Sequence, residues 1–237
     1  MKNVLLILFY LFLSYYIYSQ TDTEFWFAAP DISSNSASFD IPIFIRLSTL
    51  NQPATVTISQ PANTTFVPIV VNMAANSSAT VDLSAFLILI ENAPPNCVLN
   101  KGIKIQSTTR ISAYYEVAST YCYCNPEIFA LCGKNALGTL FYTPFQTFTN
   151  NSPSYNPLPY CSFQIVATEN NTLVTITPSQ NVVGNLAGAP YTILMDKGQS
   201  YSAQATSQAA NQHLAGSKIV SDKPVAVTVT DDLMAGT

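Results

Sequence analysis

Apolar and polar residues alternate in short runs along most of this chain, which is the pattern of β-strands that bury one face. In Thr55-Val56-Thr57-Ile58 the aliphatic side chains point one way and the threonines the other. The runs are rich in Val, Ile, Thr, Phe and Tyr, and clusters of Asn, Pro, Gly and Ser separate them. This pattern predicts an all-β protein.

The pattern predicts seven strands in each half of the chain. The last two strands of each half should form a tight hairpin, with turns at Thr108-Thr109 and Asp222-Lys223. The continuous apolar run 86–91 fits either a buried strand or a helical turn. The predicted strands lie near 24–28, 42–49, 54–59, 67–72, 79–83, 102–107 and 111–117, and near 140–143, 162–168, 173–177, 191–196, 200–204, 217–221 and 225–230.

The two halves also resemble each other in sequence. Segment 54–59 matches 172–177, which places Val56 and Val174 118 positions apart, and segment 102–107 matches 216–221 at a spacing of 114. Such a nearly constant spacing indicates tandem modules of about 110 residues. Seven strands in that length favour two immunoglobulin-like β-sandwiches, and propeller blades are the alternative. The predicted domains are residues 21–135 and 136–237.

The N-terminus has the pattern of an export signal. Lys2 precedes an unbroken apolar run from Val4 to Leu13, and small and polar residues follow at Ser19 and Gln20. We therefore expect a signal peptide over residues 1–20, and no transmembrane span in the mature chain. Under the 114 spacing Thr237 corresponds to Tyr123, so the second module is expected to continue in a longer protein.

The charge and composition exclude one class of partner. The chain has a net charge of −4, and only 9% of its residues are charged. Nucleic-acid binding needs clustered basic side chains, which this sequence lacks. A largely uncharged polar surface instead suits an extracellular adhesive or structural module.

Five cysteines in an exported chain predict disulfides, and their odd number leaves at least one thiol unpaired. If the first predicted hairpin forms, Cys97 comes near Cys122, with Cys124 as the alternative partner. Cys132 then pairs with Cys124 or with Cys161. The spacing of these residues matches no common structural zinc site.

The sequence offers little for catalysis. Its one histidine, His213, lies in a polar stretch that predicts an exposed loop, and no nucleophile motif accompanies it. Asp231-Asp232 is the only adjacent acidic pair, and it leaves a hydrolase as an alternative. We therefore predict no catalytic, metal-binding or cofactor-binding residues.

Aromatic residues offer a second kind of site. Trp26, Tyr121 and Tyr123 are candidate ligand contacts, because aromatic rings stack on sugars and also anchor protein interfaces. Most aromatic residues in strands belong to the core, however. A carbohydrate-binding module accessory to a missing enzyme is therefore an alternative function.

Several segments in order resemble a known family. They begin at Gly138-Thr-Leu-Phe-Tyr142, continue through 163–176 and Asp196-Lys-Gly-Gln-Ser-Tyr201, and end at 214–227. Together they resemble the N-terminal domain family named after the IgG Fc-binding protein of mucus. The resemblance implies a large secreted or outer-surface bacterial protein. No residue can be assigned to immunoglobulin binding, and the cysteines are not part of the family pattern.

The sequence therefore predicts a non-catalytic binding or adhesion module of a larger exported bacterial protein. It is expected outside the cell or on its surface, with a protein or glycan as its ligand.

Overall fold

Fourteen β-strands form two antiparallel sheets in the computed structural model, which describes residues 20–34, 39–119 and 127–235. A short helix, α1 (Leu87–Ile90), follows a 3-10 turn at Ser84–Phe86, so the ambiguous apolar run is helical. The strands are β1 (Asp22–Phe27), β2 (Ile43–Thr49), β3 (Ala54–Ser59), β4 (Ile69–Met73), β5 (Ser78–Asp82), β6 (Val98–Leu99), β7 (Ile103–Val117), β8 (Glu127–Leu131), β9 (Gly138–Tyr142), β10 (Cys161–Ala167), β11 (Thr172–Thr177), β12 (Tyr191–Met195), β13 (Ser200–Gln204) and β14 (Lys218–Asp231).

The two sheets repeat the same neighbours. The first sheet has the order β4-β3-β7-β2-β5, and β1 and β8 also pair with β7. The second sheet has the order β12-β11-β14-β10-β13-β6, and β9 also pairs with β14. The register agrees as well, because Val56 lies opposite Ser107 in the first sheet and Val174 lies opposite Ser221 in the second. The division of the chain into tandem modules stays a prediction.

The two predicted hairpins are wrong, because β7 and β14 are single strands of 15 and 14 residues. The polar pairs that resembled turns instead bond to the neighbouring strand. Thr108 Oγ1 accepts the N–H of Thr55 at 3.0 Å, and Asp222 Oδ1 accepts the N–H of Leu173 at 2.8 Å. At this point each long strand exchanges one partner for another, β3 for β2 and β11 for β10.

Each sheet encloses its own apolar core. In the first, Ile45 and Val56 belong to one cluster although they lie on β2 and β3, at opposite ends of β7. In the second core, Phe163 of β10 and Val174 of β11 likewise belong to one cluster, although the two strands pair with opposite ends of β14. The sheet on each long strand therefore wraps around the core, and the prediction of an all-β protein with two sandwich-like units is confirmed. Four-stranded propeller blades are not seen in the described residues.

Two segments depart from the predicted strands. No strand is predicted between 117 and 140, but β8 lies there and pairs with the end of β7, from Val117 opposite Glu127 to Ala113 opposite Leu131. The short strand β6 lies in the predicted first domain and pairs with β13 of the second sheet. Residues 149–160, between β9 and β10, contain no strand or helix. The domain boundary after residue 135 stays a prediction.

Candidate functional site

The two sheets are joined by a segment that crosses from one to the other. After α1 the chain runs along the second sheet, where β6 pairs with β13 and Asn96 Oδ1 accepts a hydrogen bond from the Tyr201 hydroxyl at 2.7 Å. The Gly102 N–H then donates to the Gly198 carbonyl at 3.1 Å. A Cβ at position 102 would lie 2.6 Å from that oxygen, so only glycine permits the approach.

Trp26 forms the apolar contact between the sheets. Its side chain is 6% exposed and packs in one cluster with Val166 and Ala226 of the second sheet. The ammonium of Lys104 lies 5.2 Å from the ring centroid, which is cation–π distance, and the indole N–H donates to Glu24 at 2.9 Å. The second sheet covers most of the Trp26 side chain, so little of it is open to a ligand. A ligand contact by Trp26 stays a prediction.

A cavity of about 250 Å³ lies at the ends of both long strands, where Val117 of β7 and Thr230 of β14 line it. Phe39 and Tyr155 form an aromatic pair on its wall, with ring centroids 5.4 Å apart. Three carboxyl groups also line the cavity, those of Glu127, Asp231 and Asp232. An aromatic wall beside several acidic groups is suited to a cationic or hydrogen-bonding ligand group.

Burial changes the pKa of two carboxyl groups of this cavity, Asp232 and Glu127. Burial raises the pKa of Asp232 to about 7, although its Oδ2 accepts the backbone N–H of Ser33 at 2.8 Å. Burial also raises the pKa of Glu127, and the charge of Asp231 adds to the effect. The cavity therefore gains negative charge as the pH rises through neutrality.

A second buried acid lies close to the cavity. Glu91, which directly follows α1, is 8% exposed, and burial together with the charges of Asp31 and Asp40 raises its pKa to about 9. The backbone N–H of Ile32 lies 3.4 Å from its Oε1. Glu91 is therefore neutral at pH 7, and folding holds a proton that the unfolded chain would release.

Asp231 holds the loop that precedes β10. Its Oδ1 accepts the side-chain N–H of Asn151 at 2.9 Å, and its Oδ2 accepts that of Gln146 at 2.8 Å. His213 Nδ1 is 3.2 Å from the same Oδ2 and 3.1 Å from the Gln146 carbonyl. Both carboxylate oxygens therefore have donors, and the network fixes the conformation of the loop.

The expectation that His213 lies in an exposed loop is wrong, because its side chain is 1% exposed. The 3-10 turn Ala210–Gln212 precedes it and directs the chain inward, where Leu214 joins the second core. The sequence did not indicate this burial, because His213 lies in a polar stretch that shows no apolar periodicity. In the fold the ring contacts Gln146 and Asp231.

This arrangement does not resemble a hydrolytic centre. Asp231 is fully engaged by its donors, and Asp232 accepts a backbone N–H. Within 20–34, 39–119 and 127–235, no group of three His, Cys, Asp or Glu side chains is placed to hold a metal ion. The geometry suits binding better than acid–base chemistry.

The cysteines do not pair as expected. Cys97 and Cys132 are exposed free thiols and Cys161 is a buried one, so the suggested Cys132–Cys161 disulfide is not formed. Cys161 begins β10 beside the second core, whereas Cys132 follows β8 of the first sheet. The reasoning for a Cys97–Cys122 pair depended on the hairpin that is absent.

Four residues of the predicted sites, Cys122, Cys124, Tyr121 and Tyr123, lie outside the described residues. Ligand contacts by the two tyrosines therefore stay a prediction, and Cys97 and Cys132, the expected disulfide partners of Cys122 and Cys124, are free thiols.

Comparison with known proteins bears on the strands around this cavity. Residues 127–236 match the IgGFc-binding protein family. The match extends from β8 to the end of β14 and includes the three carboxyl groups of the cavity, and it confirms the family resemblance over this part of the chain. A search of curated proteins found no match. Among the described residues, no helix has the length and hydrophobicity needed to cross a membrane.

Proposed function

We propose that this chain is a non-catalytic protein-binding module that acts outside a bacterial cell. The family match over residues 127–236 carries the proposal, because β8 to β14 resemble a family that is named for binding IgG Fc. The export signature of residues 1–20 and the sparsely charged composition support the extracellular location. The bacterial origin comes from the family resemblance.

The cavity at the ends of β7 and β14 is the best candidate for the ligand site. Loops from both halves of the chain meet there, and binding residues commonly lie on loops held by a rigid scaffold. Burial raises the pKa of Asp232 and Glu127, and repulsion from neighbouring carboxyl groups raises both further. A cationic side chain of a protein ligand would relieve that repulsion and stack on Tyr155.

The two alternatives remain weaker. A carbohydrate-binding module would use the same combination of aromatic rings and acids, and it is the closer rival. A hydrolase that uses Asp231 and Asp232 would need one of them free to act on substrate, whereas Asp231 is held by Asn151 and Gln146.

Biolayer interferometry of the chain without residues 1–20 tests the proposal. The probes are the IgG Fc fragment, which the family description names, and a panel of fibronectin, fibrinogen, collagen and mucin. We expect saturable binding to at least one of them. Asp232→Asn and Tyr155→Ala should each weaken that binding about tenfold, which is about 1.4 kcal/mol. Glu169→Gln, on an exposed turn, is the matched control and should change nothing.

The rivals have distinct outcomes. Dose-dependent binding on a glycan array, with no saturable binding to any of the proteins, would contradict the proposal in favour of the carbohydrate reading. Turnover of a polysaccharide or an ester that Asp232→Asn abolishes would contradict it in favour of a hydrolase.

A further inference from the structure

One outer face of the second sheet carries several exposed apolar side chains in the described part of the chain. Its centre is formed by Leu140 and Tyr142 of β9 and by Lys218 and Val220 of β14, and we call these four residues the open face. Leu140 lies opposite Val220, and Tyr142 lies opposite Lys218. Tyr142 is 61% exposed and Leu140 56%, and the exposed Leu173–Leu194 pair extends the surface across β11 and β12. Exposed apolar patches of this kind commonly mark interaction sites.

The first sheet has a counterpart to this face, and there it is covered. Trp26 lies opposite Lys104 on β1 and β7, as Tyr142 lies opposite Lys218 on β9 and β14. Yet Trp26 is 6% exposed, because the second sheet packs on it. Trp26 and Tyr142 therefore occupy equivalent positions in the two sheets, but Trp26 is buried and Tyr142 is exposed.

The cover on Trp26 has a defined chemistry. It includes the small apolar side chains Val166 and Ala226, which face each other across β10 and β14 on the outer side of the second sheet, and Leu137 also packs against the cluster. Lys104 and Lys197 lie beside the indole ring, at 5.2 and 6.0 Å from its centroid. An aromatic ring thus packs on small aliphatic groups, with two lysine ammonium groups over the ring.

We propose that the open face docks on the outer face of another β-sheet unit that presents small apolar side chains as Val166 and Ala226 do. Tyr142 is the anchor that corresponds to Trp26, and Lys218 is the cation that corresponds to Lys104. Leu140 and Val220 add apolar contact that the first sheet does not have at these positions. This inference concerns assembly and is independent of the ligand proposed for the cavity.

A second copy of the unmodified chain is a poor occupant. The positions in the first sheet that correspond to Val166 and Ala226 are Ser48 and Ser112, which pair with each other in the same register. Beside them Arg46 forms an ion pair with Glu116. Burying these hydroxyl and charged groups without new hydrogen bonds would oppose docking.

This difference supplies a direct test in the full mature chain. The substitutions Ser48→Val and Ser112→Ala give the first sheet the cover that Trp26 receives from the second. Sedimentation equilibrium should then show head-to-tail self-association at least tenfold stronger than that of the unmodified chain. Adding Tyr142→Ser should reverse the association. Thr57→Val, which adds a similar apolar group on the other half of the same sheet, is the control and should leave the chain as it was.

Each outcome decides the proposal. A doubly substituted chain that keeps its fold by circular dichroism and does not associate would overturn it, as would association that Tyr142→Ser leaves unchanged. If the valine disturbs β2, the milder pair Ser48→Ala and Ser112→Ala should still show the same dependence on Tyr142. Equally strong association of the unmodified chain would overturn the assignment of a small apolar occupant and identify a second copy as the partner.

Discussion

The buried acid Glu91 should make the stability of this protein depend on pH. Its pKa of about 9 in the folded chain lies far above the ordinary value of 4.5, because burial and the nearby carboxyl groups of Asp31 and Asp40 disfavour its charge. Lys101, whose ammonium donates to the Glu91 backbone carbonyl at 2.8 Å, opposes the effect only weakly. The folded state thus binds one proton more than the unfolded state across neutral pH.

The sign and size of the effect follow from this proton. A carboxyl whose pKa is raised by folding stabilises the folded state least at high pH, so stability falls as the pH rises from about 4.5 toward 9. One proton changes the free energy of unfolding by about 1.4 kcal/mol per pH unit. Between pH 6 and pH 8, Glu91 should therefore remove on the order of 3 kcal/mol.

Urea unfolding followed by tryptophan fluorescence is the assay. Trp26 is the one tryptophan of the chain and is buried between the sheets, so it reports on unfolding of the junction. Unmodified protein should unfold at a clearly lower urea concentration at pH 8 than at pH 6. Glu91→Gln keeps a neutral side chain of the same size and should remove most of that difference, whereas Glu169→Gln should preserve it.

The reasoning would be refuted if Glu91→Gln had the same dependence on pH as the unmodified chain. Asp232→Asn provides an internal comparison. Burial raises the pKa of Asp232 only to about 7, so its influence on stability should end near neutral pH, whereas that of Glu91 should continue to about pH 9.

Three further predictions concern the junction and the thiols. Trp26→Ala should cost about 3–5 kcal/mol of stability, because it leaves a cavity between the sheets; a urea midpoint within error of the original, both followed by circular dichroism because the variant has no tryptophan, would contradict the packing. Gly102→Ala should cost about 1–3 kcal/mol by overpacking and should speed amide exchange at β6, with unchanged exchange as the contrary result. Peptide mapping after brief alkylation should find Cys97 and Cys132 modified and Cys161 protected, since burial raises the pKa of its thiol to about 12; rapid modification of Cys161 would show that the start of β10 is open.

Much of the fold could be predicted because alternation is a local property. In β3, Val56 and Ile58 are buried between more exposed threonines, as the pattern indicated. The repeat also carried real information, since the matching segments occupy equivalent positions in the two sheets. Sequence patterns fail where a side chain forms a hydrogen bond with the backbone of a neighbouring strand. Thr108 and Asp222 resemble turn residues, but each accepts a backbone hydrogen bond from the strand beside it.

The candidate site was harder to predict because its residues are distant in sequence. Asp232 accepts a hydrogen bond from Ser33, 199 positions away, and no local pattern indicates that contact. Glu91 ends an apolar run and resembles an ordinary surface acid, yet the chain buries it. The Asp231-Asp232 pair was noticed, but its role in holding Gln146 and Asn151 depends on the folded loop.

Binding of a protein, without catalysis, at the cavity where β7 and β14 end is the proposed role of this chain. The most direct measurement is interferometry of the mature chain against the IgG Fc fragment and the extracellular panel, with Tyr155→Ala and Asp232→Asn measured alongside. The account predicts saturable binding to at least one protein and about a tenfold loss in each variant. Absence of binding to every protein, or binding that both variants retain in full, would contradict it.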